Sequence, residues 1–540
     1  MRADLKRLVW KTFTKDNGIS VKVDALACLE ENLSTFGSIE SESDVVAALN
    51  FVLSAFKAKS REKIVLKSHI EAIMESLQQD AQNLKLLQSG DTGEIDVRRY
   101  TKIISAFEVP KSVYCSQSKS WSHQRKKTND SPAILEAEER IQMFRQRYES
   151  IRDRILRNEN FSSFSAESSC KFSLSTTNHL MGCAVEDRRI VFGMLSQLKE
   201  GVYFLEDLDG NVELDLEDVS CSTGVFTEGS FVVLEGHGAL DGKFKVASIG
   251  LPPVESRKAS RKNLGSFDFL SRELLADLDD DESVLKAMEE QMIDAEFLFL
   301  FDLQIDSKIV MQKFHQLLDS IETRGNFPIS IVISGPFQKV AGSKYDPFTI
   351  SSLSEQLSTL LTEIDFKYPA LCEKTDFVIV PSHEDPFSSL LLPKLPLPVR
   401  AEHFKLDRLK VTFTSNPTRI RFFTKEFVVF RDDLMSRMQR NCIILPSQAN
   451  YDEQMCQTLL NQGHLSPFTM QVRPLAWEYE QSLCLFPVPD LLVVFDNCDA
   501  FNISHSDCIV ANPSSFSKND FIYLSYFPVL KRATFNKVVA

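Results

Sequence analysis

A surplus of positive charge is missing from this 540-residue chain: 61 Lys and Arg face 75 Asp and Glu, for a net charge of −14. A protein that draws its affinity mainly from neutralising phosphates needs a dominant positive field, so that class is excluded as the main function. Long apolar runs are also missing. The most apolar stretches, such as Phe297–Phe301 and Leu491–Phe495, are strand-sized and fall short of the roughly 18 residues that suggest a membrane span. The opening Met1-Arg-Ala-Asp-Leu-Lys-Arg7 runs into charge without the apolar region of a signal peptide. A soluble intracellular protein with no membrane partner is expected. Closely spaced cysteines are absent as well. The eleven Cys, from Cys28 to Cys508, are scattered, and no two are separated by two to four residues. That leaves zinc fingers and CxxC redox motifs unsupported and predicts free thiols in a reducing compartment. Trp and Tyr are scarce, at 3 and 10, whereas Phe reaches 40. The excess of Phe predicts core filling, with a minority at a partner surface.

What is present is ordinary globular composition, 43% hydrophobic and 25% charged, in a chain long enough for about three or four domains. Residues 1–108 carry helical periodicity: Leu5, Leu8, Val9 and Phe13 share one face, as do Ile70, Ile73, Met74 and Leu77. They predict an N-terminal helical bundle. Residues 109–135, with Pro110 and the basic Arg125-Lys126-Lys127, read as a flexible linker, the triplet serving as a nuclear import signal or as solvated charge. Residues 136–171 hold a charged helix and a connection, with Ile141, Phe144, Tyr148, Ile151 and Ile155 on one side. Over 172–254 the period changes to five short strands with turn signals at Asp209-Gly210-Asn211 and Asp241-Gly242, which suits an OB-type barrel. Gly236-His-Gly238 is expected to be a turn. Residues 255–290 read as a linker, basic at Arg257-Lys258 and Arg261-Lys262 and acidic at Asp277–Glu282. From 291 to 540, continuous apolar strands at 297–302, 329–334 and 376–381 alternate with helical stretches. They predict a large α/β domain with strands covered on both faces.

In such a domain the functional residues lie just past the carboxyl ends of the strands. Those ends read Asp302-Leu303-Gln304, Gly335-Pro336 and Ser382-His383-Glu384, with Gly463-His464-Leu465-Ser466 further on. Their order resembles the calcineurin-like metallophosphoesterases, which use Asp-x-His, Gly-Asp, Gly-Asn-His-Asp/Glu and Gly-His-x-His to hold two metals. The departures fall on ligands. Gln304 replaces His, Pro336 replaces the bridging Asp, Ser382 replaces Asn, and Ser466 replaces the last His. The expectation is a relic site with no catalytic residue, no metal and no cofactor. His383, His464 and Asp302 can equally be explained as groups hydrogen-bonded within packed loops.

Distinctive motifs extend along nearly the whole chain. They include Ile103-Ile-Ser-Ala-Phe-Glu-Val-Pro-Lys-Ser-Val-Tyr114, Leu198-Lys-Glu-Gly-Val-Tyr-Phe-Leu-Glu-Asp207, Val380-Pro-Ser-His-Glu-Asp-Pro386, Ser415-Asn-Pro-Thr-Arg-Ile420, Phe430-Arg-Asp-Asp-Leu434, Gln462-Gly-His-Leu-Ser-Pro467, Phe486-Pro-Val-Pro-Asp-Leu-Leu492 and Asn512-Pro-Ser-Ser-Phe516. Together they resemble the B-subunits of eukaryotic replicative DNA polymerases, and among these the epsilon branch. The resemblance implies an α/β multidomain protein: a helical N-terminal domain like the C-domain of AAA+ proteins, an OB domain and an inactivated phosphoesterase domain. It implies a nuclear, non-catalytic scaffold that grips the zinc-bearing C-terminal region of the polymerase catalytic subunit. The N-terminal domain would contact the GINS part of the replicative helicase. The small histone-fold subunits would be indirect neighbours, and DNA would be met only within the complex. Two alternatives stand beside this reading. One is an active metallophosphoesterase. The other is a single-strand-binding OB protein, using Phe192, Tyr203, Phe204, Phe226 and Phe231. The stretch 201–241 has many acidic residues and no Lys or Arg, a poor groove for phosphates.

Overall fold

The computed structural model describes residues 20–22, 24–26, 64–65, 67 and 97–538, without 125–136, 162–171, 181–186, 266, 271–281, 339–346, 387, 400–403, 405 and 445–449. The chain divides into two compact units, Met1–Asp96 and Val97–Ala540. In the first, β1 (Ser20–Val21) pairs in parallel with β2 (Ile64–Val65). Most of the expected helical bundle, and the basic triplet 125–127, lie outside the described residues.

The boundary expected at 108 moves to 96. β3 (Thr101–Ser105) pairs antiparallel with a strand more than 300 positions later, Thr418–Phe422, and so belongs to the second unit. The segment expected as a flexible linker also holds structure, a hairpin of β4 (Ser112–Cys115) and β5 (Ser120–His123). Aromatic packing orders it. The Trp121 ring lies 4.8 Å from Phe269 and 5.3 Å from Tyr114, and His123 stacks on Phe267 at 4.6 Å.

The barrel is built from β6 (Leu174–Ser175), β7 (Arg189–Lys199), β8 (Val202–Glu206), β9 (Asn211–Asp215), β10 (Ser220–Cys221), β11 (Phe231–Gly238) and β12 (Phe244–Gly250). The order β10-β12-β11-β7-β8-β9 is closed by pairing of β12 with β9. Gly236-His-Gly238, expected as a turn, is strand: it pairs with Phe244–Val246 beside a bulge at Glu235/Gly236. Phe192, Phe204, Phe226 and Phe231 are buried, so these rings cannot serve as a stacking platform for bases. Helix Ala137–Arg157 covers the barrel with Tyr148, Ile151 and Ile155. Of the expected apolar face only Ile141 departs: it is exposed, and Met143 is buried beside Phe144.

The α/β domain stacks two six-stranded sheets. One has the order β16-β15-β14-β13-β22-β23, from β13 (Phe297–Phe301), β14 (Ser330–Ser334), β15 (Asp376–Val380), β16 (Lys410–Phe413), β22 (Ile522–Phe527) and β23 (Arg532–Lys537). The other has the order β20-β21-β19-β18-β17-β3, from β17 (Thr418–Phe422), β18 (Lys425–Arg431), β19 (Leu491–Phe495), β20 (Phe501–His505) and β21 (Cys508–Asn512). Strand alternation explains how the sheets pack. On β13, Leu298 and Leu300 join the outer core with helix Lys308–Arg324. Phe297 and Phe301 point to the second sheet, with ring centroids 5.3 Å from Phe422, 5.1 Å from Phe427 and, for Phe301, 5.8 Å from Phe495. Each buried Phe contributes about 1.5–3 kcal/mol of burial, plus about 0.5–1.5 kcal/mol per aromatic pair. This inter-sheet layer accounts for part of the Phe excess.

The two arginines of the expected second linker are structural, whereas Lys258 and Lys262 are exposed. Arg257, in helix Arg257–Leu264, is buried between Glu426 at 3.2 Å and Asp490 at 3.2 Å. Barrel and α/β domain are joined by buried hydrogen bonds. Gln462 pairs with both backbone groups of Phe231 at 2.8 and 2.7 Å, and the Val225 N–H donates to Thr458 Oγ1 at 2.9 Å. Because these bonds are buried, losing either side leaves an orphaned group that costs about 1–3 kcal/mol.

A candidate relic centre and a separate cavity

The parallel strands of the two sheets converge at their carboxyl ends, where loop residues leave the strand ladder and turn their side chains on one another. Asp302 follows β13 in the left-handed region, at φ 63°, a conformation that costs energy in a non-glycine residue. Its carboxylate is fully buried and fully used. Oδ1 accepts from Gln304 Nε2 at 2.9 Å, and Oδ2 accepts from Ser515 and Ser517. Lys518 lies 3.8 Å away. Gly335 follows β14, and a Cβ there would collide with the Asp385 carboxylate. Pro336 next to it carries no ligand atom. Asp385 accepts the Phe337 and Ser382 N–H groups at 2.9 and 2.7 Å. Burial pushes its carboxyl up to about 6 against those two hydrogen bonds.

Past β15, Ser382 Oγ accepts the Glu384 N–H at 3.2 Å. His383 Nε2 stands 3.0 Å from Asp433 and 3.7 Å from Glu384. The residue that organises this group is Arg431, at the end of β18 and 0% exposed. It donates to Glu384 at 3.0 Å, to Asp433 at 2.7 Å and to the Phe495 carbonyl at 3.1 Å, and it lies 4.5 Å from the Phe301 ring centroid. Burial alone would raise the Asp433 carboxyl, but the hydrogen bond from His383 and the charge of Arg431 hold it far below the usual carboxylate range. Past β19, burial raises Asp496 to about 6 while it accepts the Met435 N–H at 2.8 Å.

Asp302, Gln304, Gly335, Pro336, Ser382, His383 and Glu384 thus share this end of the sheets. Gly463, His464 and Ser466 do not join them. Gly463 is the left-handed C-cap of helix Tyr451–Gln462, at φ 65°. His464 is buried; Arg147 donates to its Nε2 at 2.8 Å, and Nδ1 lies 2.9 Å from the Ser466 N–H. Burial first, and then the Arg147 charge, hold its pKa well below the ordinary value, so it is neutral near pH 7. Glu480, paired with Arg147, and Cys484 complete the group. It lines a cavity of about 350 Å³ between the hairpin, helix Ala137–Arg157 and residues 462–486.

These residues do not fit a two-metal centre. Both oxygens of Asp302 are engaged, the bridging position is Pro336, His464 faces another cavity, and a guanidinium already neutralises Glu384 and Asp433. The Arg431 guanidinium, a permanent cation held by burial, already supplies positive charge beside Glu384 and Asp433. Arg431, Asp433, Asp385 and the serines at 515 and 517 were not among the candidate residues. The signal for Arg431, Asp433 and Ser515 lay in Phe430-Arg-Asp-Asp-Leu434 and Asn512-Pro-Ser-Ser-Phe516, which span strand ends, and that for Asp385 in Val380-Pro-Ser-His-Glu-Asp-Pro386.

An OB barrel fused to a two-sheet α/β domain with such a charge-compensated strand-end centre is the architecture expected of the B-subunits of replicative polymerases. Residues 297–502 match the family model for the DNA polymerase alpha/epsilon B-subunit, and residues 137–253 match the DNA polymerase epsilon subunit 2-like OB-fold domain. The chain is 31% identical over 533 residues to DNA polymerase epsilon subunit 2 of Homo sapiens, covering 97% of each chain. It is 29% identical over 535 residues to the DNA polymerase epsilon B-subunit of Arabidopsis thaliana, again covering 97% of each. With DNA polymerase epsilon subunit 2 of Drosophila melanogaster it shares 31% over 441 residues, 79% of this chain and 81% of the relative. The chain belongs to the DNA polymerase epsilon subunit 2 family, whose members are accessory subunits in DNA replication.

Proposed function

We propose that the chain is a non-catalytic, nuclear scaffold of the DNA polymerase epsilon complex. In this reading the joined barrel and α/β domain hold the zinc-bearing C-terminal region of the catalytic subunit. The N-terminal unit, a domain like the C-domain of AAA+ proteins, reaches the GINS part of the replicative helicase. The histone-fold subunits are indirect neighbours, and DNA is met only within the assembly. Two interactions joined in one chain raise effective concentration without new contacts.

The observation that supports a non-catalytic role is the strand-end centre, where Arg431 and Lys518 neutralise the carboxylates that a phosphoesterase would reserve for metal. The ligands such an enzyme needs are lost at Gln304, Pro336, Ser382 and Ser466. The test is affinity purification of the full chain, and of the chain without residues 1–96, from nuclear extract. The full chain is expected to recover catalytic subunit and helicase components. The shortened chain is expected to keep the catalytic subunit and lose the helicase. Loss of the catalytic subunit from a folded shortened chain would contradict this division of labour. A cut at 108 would instead remove β3 from its sheet.

A further inference from the structure

The cavity beside His464 is not part of the strand-end centre, and its polarity is graded. Its walls carry Trp121, Trp477 and Phe486, all partly exposed. At its mouth stand Glu138, Glu139 and Glu478, none of which forms an ion pair among the described residues, with Lys111 as the accompanying cation. Deeper lies Arg154, only 4% exposed. It donates to the Asn461 carbonyl at the end of helix Tyr451–Gln462, yet its Nε has no hydrogen-bond partner, and neither has Trp477 Nε1. The Nε of other buried arginines, Arg431 among them, is likewise without a partner, so the Trp477 N–H beside open volume is the donor that calls for an explanation. A cavity of this size, mainly apolar with a few convergent polar groups, has the character of a binding site.

We propose that this cavity docks an extended segment of a partner polypeptide that sets a Lys or Arg beside the three glutamates. Its apolar residues lie against the tryptophans, and a backbone carbonyl accepts from the orphaned N–H groups of Trp477 and Arg154. The charge argument selects a basic segment: three unpaired carboxylates face one lysine at the mouth, and aromatic walls favour a cation over their rings. An extended segment supplies both the cation and the carbonyl acceptors; a small anion would satisfy the buried donors but be repelled at the mouth. The inference rests on the scaffold reading, because the partner to test is the polymerase epsilon catalytic subunit.

The experiment measures binding of the full-length chain to the full-length catalytic subunit at low and moderate salt. The E138Q/E139Q/E478Q variant is expected to bind about tenfold more weakly at low salt and to lose much of the salt dependence. W477F, which keeps the ring and removes the N–H, is expected to bind several-fold more weakly. Both should unfold at the same midpoint as the parent chain. Hydrogen exchange of the unaltered complex supplies a readout that needs no variant, with protection expected at 138–147 and 477–486. Unchanged binding of the folded variants, or equal exchange in those segments free and bound, would overturn the docking site and leave the scaffold reading standing. If the unaltered chain fails to bind the catalytic subunit, both fall.

Discussion

The strand-end centre and the cavity beside His464 use the same kinds of side chain and differ in how their carboxylates are compensated. At the strand ends, Asp302, Asp385 and Asp433 each accept at least two hydrogen bonds or ion pairs, and Arg431 is fully buried. At the cavity mouth, three glutamates form no ion pair among the described residues, and the deeper Trp477 N–H has no acceptor among them. Carboxylates closed by their own cations hold the fold together; carboxylates without one, next to open volume, are kept for a partner. The strand-end centre thus serves as a structural element, while the open cavity lies elsewhere in the same unit.

The strongest way to break this contrast is Arg431→Met. It leaves Glu384 and Asp433 without their guanidinium and is expected to cost about 3–5 kcal/mol, measured by urea unfolding. A neutral result would mean that the centre is not held by that charge.

The two regions should also respond to pH in opposite directions. The Asp385 carboxyl is raised to about 6 in the folded chain, so its favourable contribution is present at low pH and lost as pH rises through 6. His464 is held well below its ordinary value, so its contribution is present above about 6.5 and lost as pH falls. Linkage then predicts that, between pH 5 and 7, Asp385→Asn changes the difference from the parent chain by about 1 kcal/mol, and that His464→Gln changes it with the opposite sign. Parallel slopes for the two variants would contradict the assignment.

The smallest effect belongs to the cavity mouth. Replacing Glu138, Glu139 and Glu478 by Gln is expected to change the unfolding free energy by less than about 0.5 kcal/mol, as for surface positions outside any network. A larger loss would place these glutamates in the structural network and blur the distinction between the two regions.

The apolar strands at 297, 329 and 376 were legible in the sequence because burial on both faces leaves no polar alternation. Their ends located most of the centre. The barrel strands were legible from their turns. Gly-His-x-Ser has the spacing of a metal motif, but its glycine is a helix C-cap and Arg147 and Ser466 hold the His464 ring, in keeping with the packed-loop reading. Arg431 was not a candidate because a charged residue at a strand end usually faces water; here Phe301 of the opposed first sheet covers it. Arg257 and Arg261 resembled solvated linker charge because two of their acidic partners, Glu426 and Asp490, lie more than 160 positions away. Aromatic contacts that order the 112–123 hairpin, with Phe267, Phe269 and Phe486, are likewise long-range, so composition alone suggested a tether.

The central claim is that the strand-end centre is closed by its own cations. Its most direct test is calorimetric titration of the full-length chain with Mn²⁺ at neutral pH and moderate salt. The account predicts no stoichiometric uptake and no change in the unfolding midpoint. Tight uptake of one or two ions per chain, abolished by Asp302→Asn with Asp433→Asn in a folded protein, would contradict it.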